Sequence, residues 1–148
     1  MKDRFETFTV LITKINRSIK KIKIGEMQEF DLKSLHVSCL YYLYKSSTMT
    51  ATELCDICEE DKASISRSLD YLEKNDFIKC DSDAKKRYRS LLELTPKGVN
   101  VAKIITEKID LILDEASSGL SDEERIVLYR SLELISKNLD NICEKYNR

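Results

Sequence analysis

The sequence predicts a mainly α fold of the α+β type, with long helices at both ends, a helix-turn-helix unit in the middle and one small β-hairpin. Near both ends, apolar residues recur at alternating intervals of three and four, the helical period. Only two short runs, both in the middle, have the composition of strands. The 148 residues include 3 Gly and 1 Pro, too few for an all-β fold with many tight turns.

The first predicted helix has a narrow apolar stripe, which is typical of a helix that packs along another helix. Between Thr7 and Gly25 the chain carries five basic residues and no acidic one. We therefore expect residues 1–30 to form an N-terminal dimerisation helix. Its stripe consists of Phe5, Phe8, Ile12, Ile15, Ile19 and Ile22.

Residues 31–98 predict a helix-turn-helix unit followed by the hairpin. A buried helix is expected from Asp31 or Leu32 to Tyr44. Thr50 to Glu53 has capping-box spacing and opens a short helix that ends near Cys58. Asp61 caps the next helix, which ends near Asn75, so that a turn of three or four residues joins two short helices.

The hairpin is predicted from two strand-like runs, Phe77 to Cys80 and Leu91 to Leu94, which flank a polar stretch. No other region has the composition of a strand. Lys62 to Arg89 contains eight basic and five acidic residues, so this middle region is basic although the whole chain has a net charge of -1.

Residues 99–148 predict C-terminal dimerisation helices. Thr95 and Pro96 suit the N-cap and first position of the helix before Gly119, and Ser121 to Glu124 has capping-box spacing. Glu107 to Lys145 holds ten acidic and five basic residues. The last helix carries the stripe Leu128, Leu132, Ile135, Leu139, Ile142 and Tyr146, of which Leu132, Ile135, Leu139 and Ile142 are our dimerisation candidates with the first helix.

The second helix of the helix-turn-helix unit has the composition of a DNA-reading helix. Lys62, Ser64, Ser66 and Arg67 lie in its first turns, on its outward side. Small hydroxylated residues let a helix sit deep in the major groove, and arginine pairs with guanine or grips phosphate. The alternative is a polar face that is merely solvated.

The hairpin tip is the second candidate contact with DNA. Lys85, Lys86, Arg87 and Arg89 place four cations in five residues, directly after the helix-turn-helix unit. Such a tip suits phosphate and minor-groove contacts. An ordinary solvated hairpin that charge keeps soluble is the alternative.

Composition argues against catalysis, export and membrane insertion. A single histidine, His36, cannot build both a nucleophile pair and a metal site, and no glycine-rich phosphate motif occurs. No apolar run approaches the ~20 residues that span a bilayer, and the amino terminus lacks a signal-peptide core. We therefore expect a cytoplasmic protein with reduced cysteines, no cofactor and no enzymatic activity.

Three segments together resemble the MarR family of winged-helix transcription regulators. They are Met49 to Cys55, Asp61 to Ile78 and Leu94-Thr-Pro-Lys-Gly98, and the order of predicted elements matches over essentially the whole chain. The resemblance implies a homodimer whose first and last helices interdigitate, with a recognition helix in each major groove and the wing along a minor groove. It also implies release of DNA by a small aromatic, often phenolic, effector or by oxidation.

From the residues and the resemblance together, we expect a repressor that binds double-stranded DNA at a pseudo-palindromic operator, with Thr50 as a further DNA contact. Two alternatives remain open. One is a cysteine-based redox regulator of the same fold, and the other is a winged-helix adaptor that binds protein instead of DNA.

Three positions depart from the family's pattern. Glu59 and Asp76 stand where glycine is usual, before and after the recognition helix. Both fit if the backbone there avoids a positive φ, and Asp76 also fits if it accepts one. The wing's familiar Asp-x-Arg is absent, since Asp83 lies four residues before Arg87, which leaves open whether Arg87 or Arg89 enters the minor groove.

Three of the five cysteines are predicted to pack in the core. Cys55 and Cys58 form a CxxC without a second such pair, so we expect core packing in place of a zinc site. Cys39 lies among leucines and is expected to be buried and inert, and His36 to be packed or at a pocket edge. The resemblance places the reactive cysteine of peroxide sensors near the amino terminus, where this chain has none.

Overall fold

The computed structural model describes residues 3–80 and 89–147, which form two compact units, one ending at Ile109 and the other beginning at Asp110. A π-helical stretch, Glu6–Leu11, leads into α1, and a 3-10 turn, Gln28–Phe30, follows it. The helices are α1 Ile12–Glu26, α2 Ser34–Ser46, α3 Ala51–Cys58, α4 Lys62–Lys74, α5 Pro96–Ala116 and α6 Asp122–Cys143, and the strands are β1 Thr48–Met49, β2 Ile78–Cys80 and β3 Leu92–Leu94. The predicted mainly α fold with a small β element is confirmed.

The sheet has one strand more than the sequence predicts. Its order is β1-β3-β2, and both pairings are antiparallel. Thr48 lies opposite Glu93, and Met49 lies opposite Leu92. The prediction that no strand exists outside the hairpin is therefore wrong, because two residues are too few to show the period of two that marks a strand.

The core of the first unit lies between α2, α3, α4 and the sheet. Leu40, Leu54, Ile65 and Leu72 are completely buried there. α3 and α4 thus rest on α2 through their apolar faces, which turns the opposite face of α4 outward.

α2 begins at Ser34, two to three residues later than predicted. Asp31 has a left-handed backbone with φ 54°, which no α-helix can include. Lys33 caps the helix instead, and its backbone N–H donates to Nδ1 of His36 at 3.1 Å. Leu32, predicted to be apolar and inward, is buried, but it lies ahead of the helix.

Thr95 joins the end of α4 to the start of α5. Its hydroxyl donates to the carbonyl oxygen of Asp76 at 2.6 Å and accepts from the backbone N–H of Gly98 at 3.0 Å. Its own N–H donates to the carbonyl oxygen of Phe77 at 3.0 Å. The predicted N-cap at Thr95 is confirmed, and it also holds the base of the hairpin.

Lys97 and Gly98 complete this junction. The Lys97 ammonium donates to the carbonyl oxygen of Asn75 at 2.8 Å and lies 4.3 Å from the centre of the Phe77 ring. Gly98 packs against Phe77 so closely that a Cβ would overlap the Phe77 carbonyl oxygen. The Leu94-Thr-Pro-Lys-Gly98 segment therefore fixes the carboxyl-terminal end of α4.

In the second unit, the predicted capping box of α6 is confirmed. The Glu124 N–H donates to Ser121 Oγ at 3.2 Å, and the Ser121 N–H donates to Glu124 Oε2 at 2.7 Å. Gly119 has φ 92°, as its predicted role in ending the preceding helix requires. Arg125 pairs with Asp122 at 3.0 Å in the first turn.

α1 and α6 contain no buried residue, although both carry apolar stripes. Ile15 is 50% exposed and Leu139 is 50% exposed. Of the nine predicted dimerisation residues, all but the half-buried Ile135 are exposed: Phe5, Phe8, Ile12, Ile15, Ile19, Leu132, Leu139 and Ile142.

Within residues 3–80 and 89–147, the helices are too short or too polar to cross a bilayer.

Candidate nucleic-acid interface

The entrance to the helix-turn-helix unit is fixed by Thr50. Its hydroxyl accepts from the backbone N–H of Glu53 at 3.2 Å, and its own N–H donates to Glu53 Oε2 at 2.7 Å. These hydrogen bonds hold the pKa of the Glu53 carboxyl below its usual value. Thr50 is therefore a helix cap in the structure, and its contact with DNA stays a prediction.

The first turn of α4 is a hydrogen-bonded chain of side chains. Asp61 Oδ1 accepts from the Ser64 N–H at 2.8 Å, and Asp61 Oδ2 accepts from the Ser64 hydroxyl at 2.9 Å. The Arg67 guanidinium donates to Ser64 Oγ at 3.1 Å. The hydrogen bonds from Ser64, with a smaller contribution from Arg67, lower the pKa of Asp61. Arg67 is thus oriented along the exposed face before any ligand arrives.

The outward face of α4 carries the four residues predicted for it. Lys62 and Arg67 are exposed, and Ser64 and Ser66 are half-buried. At 100° per residue, Lys62 and Ser66 lie on one flank of the exposed face, and Ser64 and Arg67 lie on the other. The face therefore presents cations and hydroxyl groups on both flanks, which suits the donors and acceptors of a major groove.

Both residues that replace the family's glycines have a left-handed backbone. Glu59 has φ 52° at the end of α3, and Asp76 has φ 62° after α4. The condition under which Glu59 would fit easily, a backbone that avoids a positive φ, is not met, because the chain leaves α3 in the left-handed conformation at this residue. Asp76 accepts the conformation, as aspartate does more readily than glutamate.

Replacing Glu59 with glycine is expected to stabilise the protein by about 0.5–1 kcal/mol. A left-handed backbone costs a residue with a Cβ about 1–2 kcal/mol, which glycine avoids. The greater conformational freedom of glycine in the unfolded chain offsets part of this stabilisation. Urea unfolding measures the difference. Glu60→Gly is the control, since Glu60 has no positive φ and its replacement should lower stability. Equal effects of the two substitutions would contradict the strain at Glu59.

The wing is described only at its base and at one tip residue. Lys79 of β2 and Glu93 of β3 face each other and form an ion pair at 3.0 Å. Arg89 is exposed just before β3. The other predicted wing contacts, Lys85, Lys86 and Arg87, lie outside the described residues.

A cavity of about 420 Å³ lies between the start of α2 and the recognition helix. His36 is 5% exposed, and its ring stacks on Tyr71 at 4.4 Å between centroids. The Tyr71 hydroxyl donates to the carbonyl oxygen of Asp31 at 2.7 Å. Burial lowers the pKa of His36. Its burial and its place in the lining of the cavity confirm the prediction that it is a packed residue at a pocket edge. The sequence does not predict these contacts of Tyr71, because its partners lie 35 or more residues away along the chain.

The cysteines lie at different depths. Cys39 is completely buried, as predicted, and Cys55 and Cys58 pack against the core from its edge. Cys80 is half-buried on β2, and Cys143 is exposed at the end of α6. In the part of the chain that the structure describes, no three His, Cys, Asp or Glu side chains are placed to hold a metal ion.

Comparison with known proteins assigns the family. A profile of the winged helix DNA-binding domain family matches residues 35–113, more than half of the chain. The chain belongs to this family. The matched region of this winged-helix protein runs from the start of α2 through the sheet into α5, and it includes the whole helix-turn-helix unit.

Relatives agree with the assignment over nearly the whole chain. The HTH-type transcriptional regulator YfiV of Bacillus subtilis (strain 168) is 28% identical over 135 residues, which are 89% of this chain and 82% of YfiV. A MarR family transcriptional regulator from Listeria monocytogenes, solved with 26mer DNA, has a TM-score of 0.82 at 24% identity, over 95% of this chain and 91% of that one. The S. aureus MepR-DNA complex has a TM-score of 0.78 at 22% identity, over 93% and 99%. The predicted MarR-like fold of this winged-helix protein is confirmed.

Proposed function

We propose that this protein is a sequence-specific transcriptional regulator that binds double-stranded DNA as a homodimer. The observation that carries the proposal is the outward face of α4, where exposed Lys62 and Arg67 accompany Ser64 and Ser66 at the start of a helix. An adaptor that binds protein would not need this combination of cations and hydroxyl groups.

α4 enters the major groove by its amino-terminal turns. Arg67 forms a bidentate pair with a guanine or holds a phosphate, and Ser64 and Ser66 bond base edges or phosphates. Arg67 is already tethered to Ser64, so less side-chain entropy is lost on binding. Thr50, Lys62 and the wing residues Lys85, Lys86, Arg87 and Arg89 contact the backbone or the adjacent minor groove.

Relatives support this reading. The two similar structures described above, from Listeria monocytogenes and S. aureus, are both complexes with DNA. YfiV is named a transcriptional regulator. We assign the same class of function to this chain because the recognition helix has the residues that the chemistry requires.

The apolar stripes of α1 and α6 support the dimer. Six large apolar side chains of one face, from Phe5 to Ile22, are 39–68% exposed in the protomer. Such a surface on one helix is typical of an interface. In this proposal residues 1–30 and 99–148 dimerise, residues 31–98 bind DNA, and the two-fold symmetry of the dimer makes the operator pseudo-palindromic.

We further propose repression that a small aromatic effector relieves. A cavity of about 210 Å³ near α1 and α2 has two tyrosines, Tyr41 and Tyr42, and the ammonium of Lys23 in its lining. A cavity of about 150 Å³ already holds a benzene ring, and the ammonium suits a phenolate or carboxylate. Benzoate should raise the melting temperature of the wild type but not of Tyr42→Ala, and no shift in either protein would contradict the site.

Selection of genomic fragments tests the DNA-binding proposal. Fragments that the purified protein retains should share a sequence with two related half-sites, and a labelled duplex of that sequence should bind more tightly than a random one. Failure to retain any duplex at low salt would favour the adaptor. A reporter gene behind the selected fragment then decides between repression and activation.

Arg89→Ala is expected to weaken specific and random duplexes about equally. If Arg89 contacts one phosphate, its loss should flatten the slope of log K against log salt by ~0.9. Titrations at several salt concentrations measure the slope. Arg130→Ala is the control, since Arg130 is exposed on α6 and lies outside the proposed DNA interface. Loss of affinity for the selected duplex alone would show that Arg89 reads sequence instead.

A further inference from the structure

Two polar groups of the first unit are deeply placed and have no hydrogen-bond partner. His36, in the first turn of α2, is 5% exposed, and Ser68 of α4 is 6% exposed. Among residues 3–80 and 89–147, neither Nε2 of His36 nor the hydroxyl of Ser68 has a partner. Both residues line the cavity of about 420 Å³ between the start of α2 and the recognition helix. Because every fully enclosed side-chain nitrogen or oxygen of the described residues is paired, these two groups open into that cavity.

The imidazole of His36 is held so that Nε2 is a donor. Its Nδ1 accepts from the backbone N–H of Lys33 at 3.1 Å, and its ring stacks on Tyr71 with 2° between the two planes. Burial and the charge of Lys33 lower the pKa of His36, against the charge of Asp31. The ring is therefore neutral at pH 7, with its one proton on Nε2. A ligand that satisfies this N–H must be a hydrogen-bond acceptor.

The charges around the cavity favour an anion. Lys33 and Arg67 bring two cations to its lining, whereas its acidic residue is Asp31. The Asp31 carboxylate already accepts from the hydroxyl of Tyr71 at 3.3 Å. The cavity also lies at the amino-terminal end of α2, where the helix dipole attracts negative charge. An anion with several acceptor oxygens, such as a phosphate, therefore suits the cavity.

The cavity lies where one strand of a bound duplex passes. Ser64 and Arg67, which form one flank of the outward face of α4, line it together with Ser68. A major groove ~12 Å wide is nearly filled by a helix ~10–12 Å across, so the two sugar-phosphate backbones run along the flanks of a helix that lies in the groove. The backbone on the flank of Ser64 and Arg67 is thus the one next to the cavity.

We propose that this cavity binds one phosphate of the DNA backbone through the Nε2–H of His36, the hydroxyl of Ser68 and the ammonium of Lys33. The inference rests on the proposed function and adds two residues, His36 and Ser68, that the sequence does not predict as DNA contacts. Because α2 holds the phosphate on this flank, Arg67 remains available for a base edge. The contact fixes the position of α4 in the groove without reading sequence.

Titration of Ser68→Ala against the selected and the random duplex tests the phosphate contact. The variant loses only a hydroxyl group and gains a good helix former, so it should melt no lower than the wild type. We expect its affinity to fall about tenfold on both duplexes alike, because the lost hydrogen bond is to a charged group that carries no sequence information. His36→Phe, which keeps a ring against Tyr71 without the N–H, should behave in the same way. Ser38→Ala, at a half-buried position of α2 that lines a different cavity, should match the wild type.

Lys33→Gln separates the charged contact from the neutral ones. Loss of one cation from a phosphate should flatten the slope of log K against log salt by ~0.9. Ser68→Ala should keep the wild-type slope, because a hydroxyl group neutralises no phosphate charge. A wild-type slope in Lys33→Gln would contradict the contact of its ammonium with DNA.

A scan of the selected duplex with single methylphosphonates locates the phosphate. Each duplex in the set has one backbone phosphate replaced by this uncharged group. We expect one position in each half-site where the replacement weakens binding of the wild type and of Ser38→Ala. The same replacement should have little further effect on Ser68→Ala or Lys33→Gln, because these variants have already lost that contact.

Additive losses at every position of the scan would overturn this inference and leave the proposed function intact. A rise in the melting temperature of the DNA-free protein with inorganic phosphate, without any such position in the scan, would also overturn it, because the cavity would then bind a free anion. A wild type that binds no duplex would contradict the proposed function and this inference together.

Discussion

Replacing Ile15 and Ile19 of α1 with glutamate is expected to convert the protein from a dimer into a monomer. Ile15 is 50% and Ile19 is 42% exposed in the protomer, so about half of each side chain remains to be buried by a partner. At ~1.5–3 kcal/mol for complete burial, the four side chains of a dimer contribute about 3–6 kcal/mol. The dissociation constant should rise on the order of 10²–10⁴-fold, and more because a carboxylate resists burial.

Light scattering measures this change as a mass near 17.2 kDa in place of twice that value. Ile24→Glu is the matched control. Ile24 is also exposed on α1, but it lies about 200° around the helix from Ile22, so this variant should remain a dimer. A wild-type monomer at micromolar concentration would contradict the dimer, and a dimeric double variant would place the interface elsewhere.

Gly98→Ala is expected to lower the free energy of unfolding by about 3 kcal/mol, the upper end of the usual range for overpacking. The new Cβ would overlap the Phe77 carbonyl oxygen and lie 2.9 Å from the Phe77 carbonyl carbon. Backbone atoms cannot move aside as a side chain can. The hydrogen bonds that Thr95 makes to Phe77 and Gly98 would be distorted as the two segments separate. Urea unfolding monitored by circular dichroism measures the loss.

Gly25→Ala is the control for this substitution. Gly25 is near the end of α1, and a Cβ there would meet no atom within 4 Å. Alanine at such a helical position should stabilise the protein by about 0.5–1 kcal/mol. The two Gly→Ala substitutions should therefore have opposite signs. A loss at Gly98 no larger than the change at Gly25 would show that the junction can relax.

Local signals in the sequence predicted much of the fold. The caps at Thr50, Asp61 and Ser121 and the end of α3 at Cys58 stand where the sequence places them. Each of these features depends on residues within one helical turn, so neighbouring residues in the sequence suffice to identify it.

Features that depend on distant residues were missed. β1 exists because Thr48 and Met49 pair with β3, more than 40 residues later. Asp31 is held at a positive φ before α2, where the hydroxyl of Tyr71, 40 residues away, bonds its carbonyl oxygen. The residues that surround Thr48 or Asp31 in the sequence do not indicate such distant partners.

The candidate site was predictable in composition but not in geometry. The helical period alone placed Lys62 and Arg67 on the outward face of α4. The tether from Arg67 to Ser64 depends on the conformations of two side chains, which the pattern of residue types does not specify.

Titration of Arg67→Ala and Arg130→Ala against the selected duplex and a random duplex, at several salt concentrations, tests most directly whether α4 reads DNA. We expect Arg67→Ala to lose about 1–3 kcal/mol on the selected duplex, to lose much less on the random one, and to accept other bases at one position of each half-site. Arg130→Ala should match the wild type on both. If Arg67→Ala weakened both duplexes alike, or neither, the assignment of α4 as the recognition helix would be contradicted.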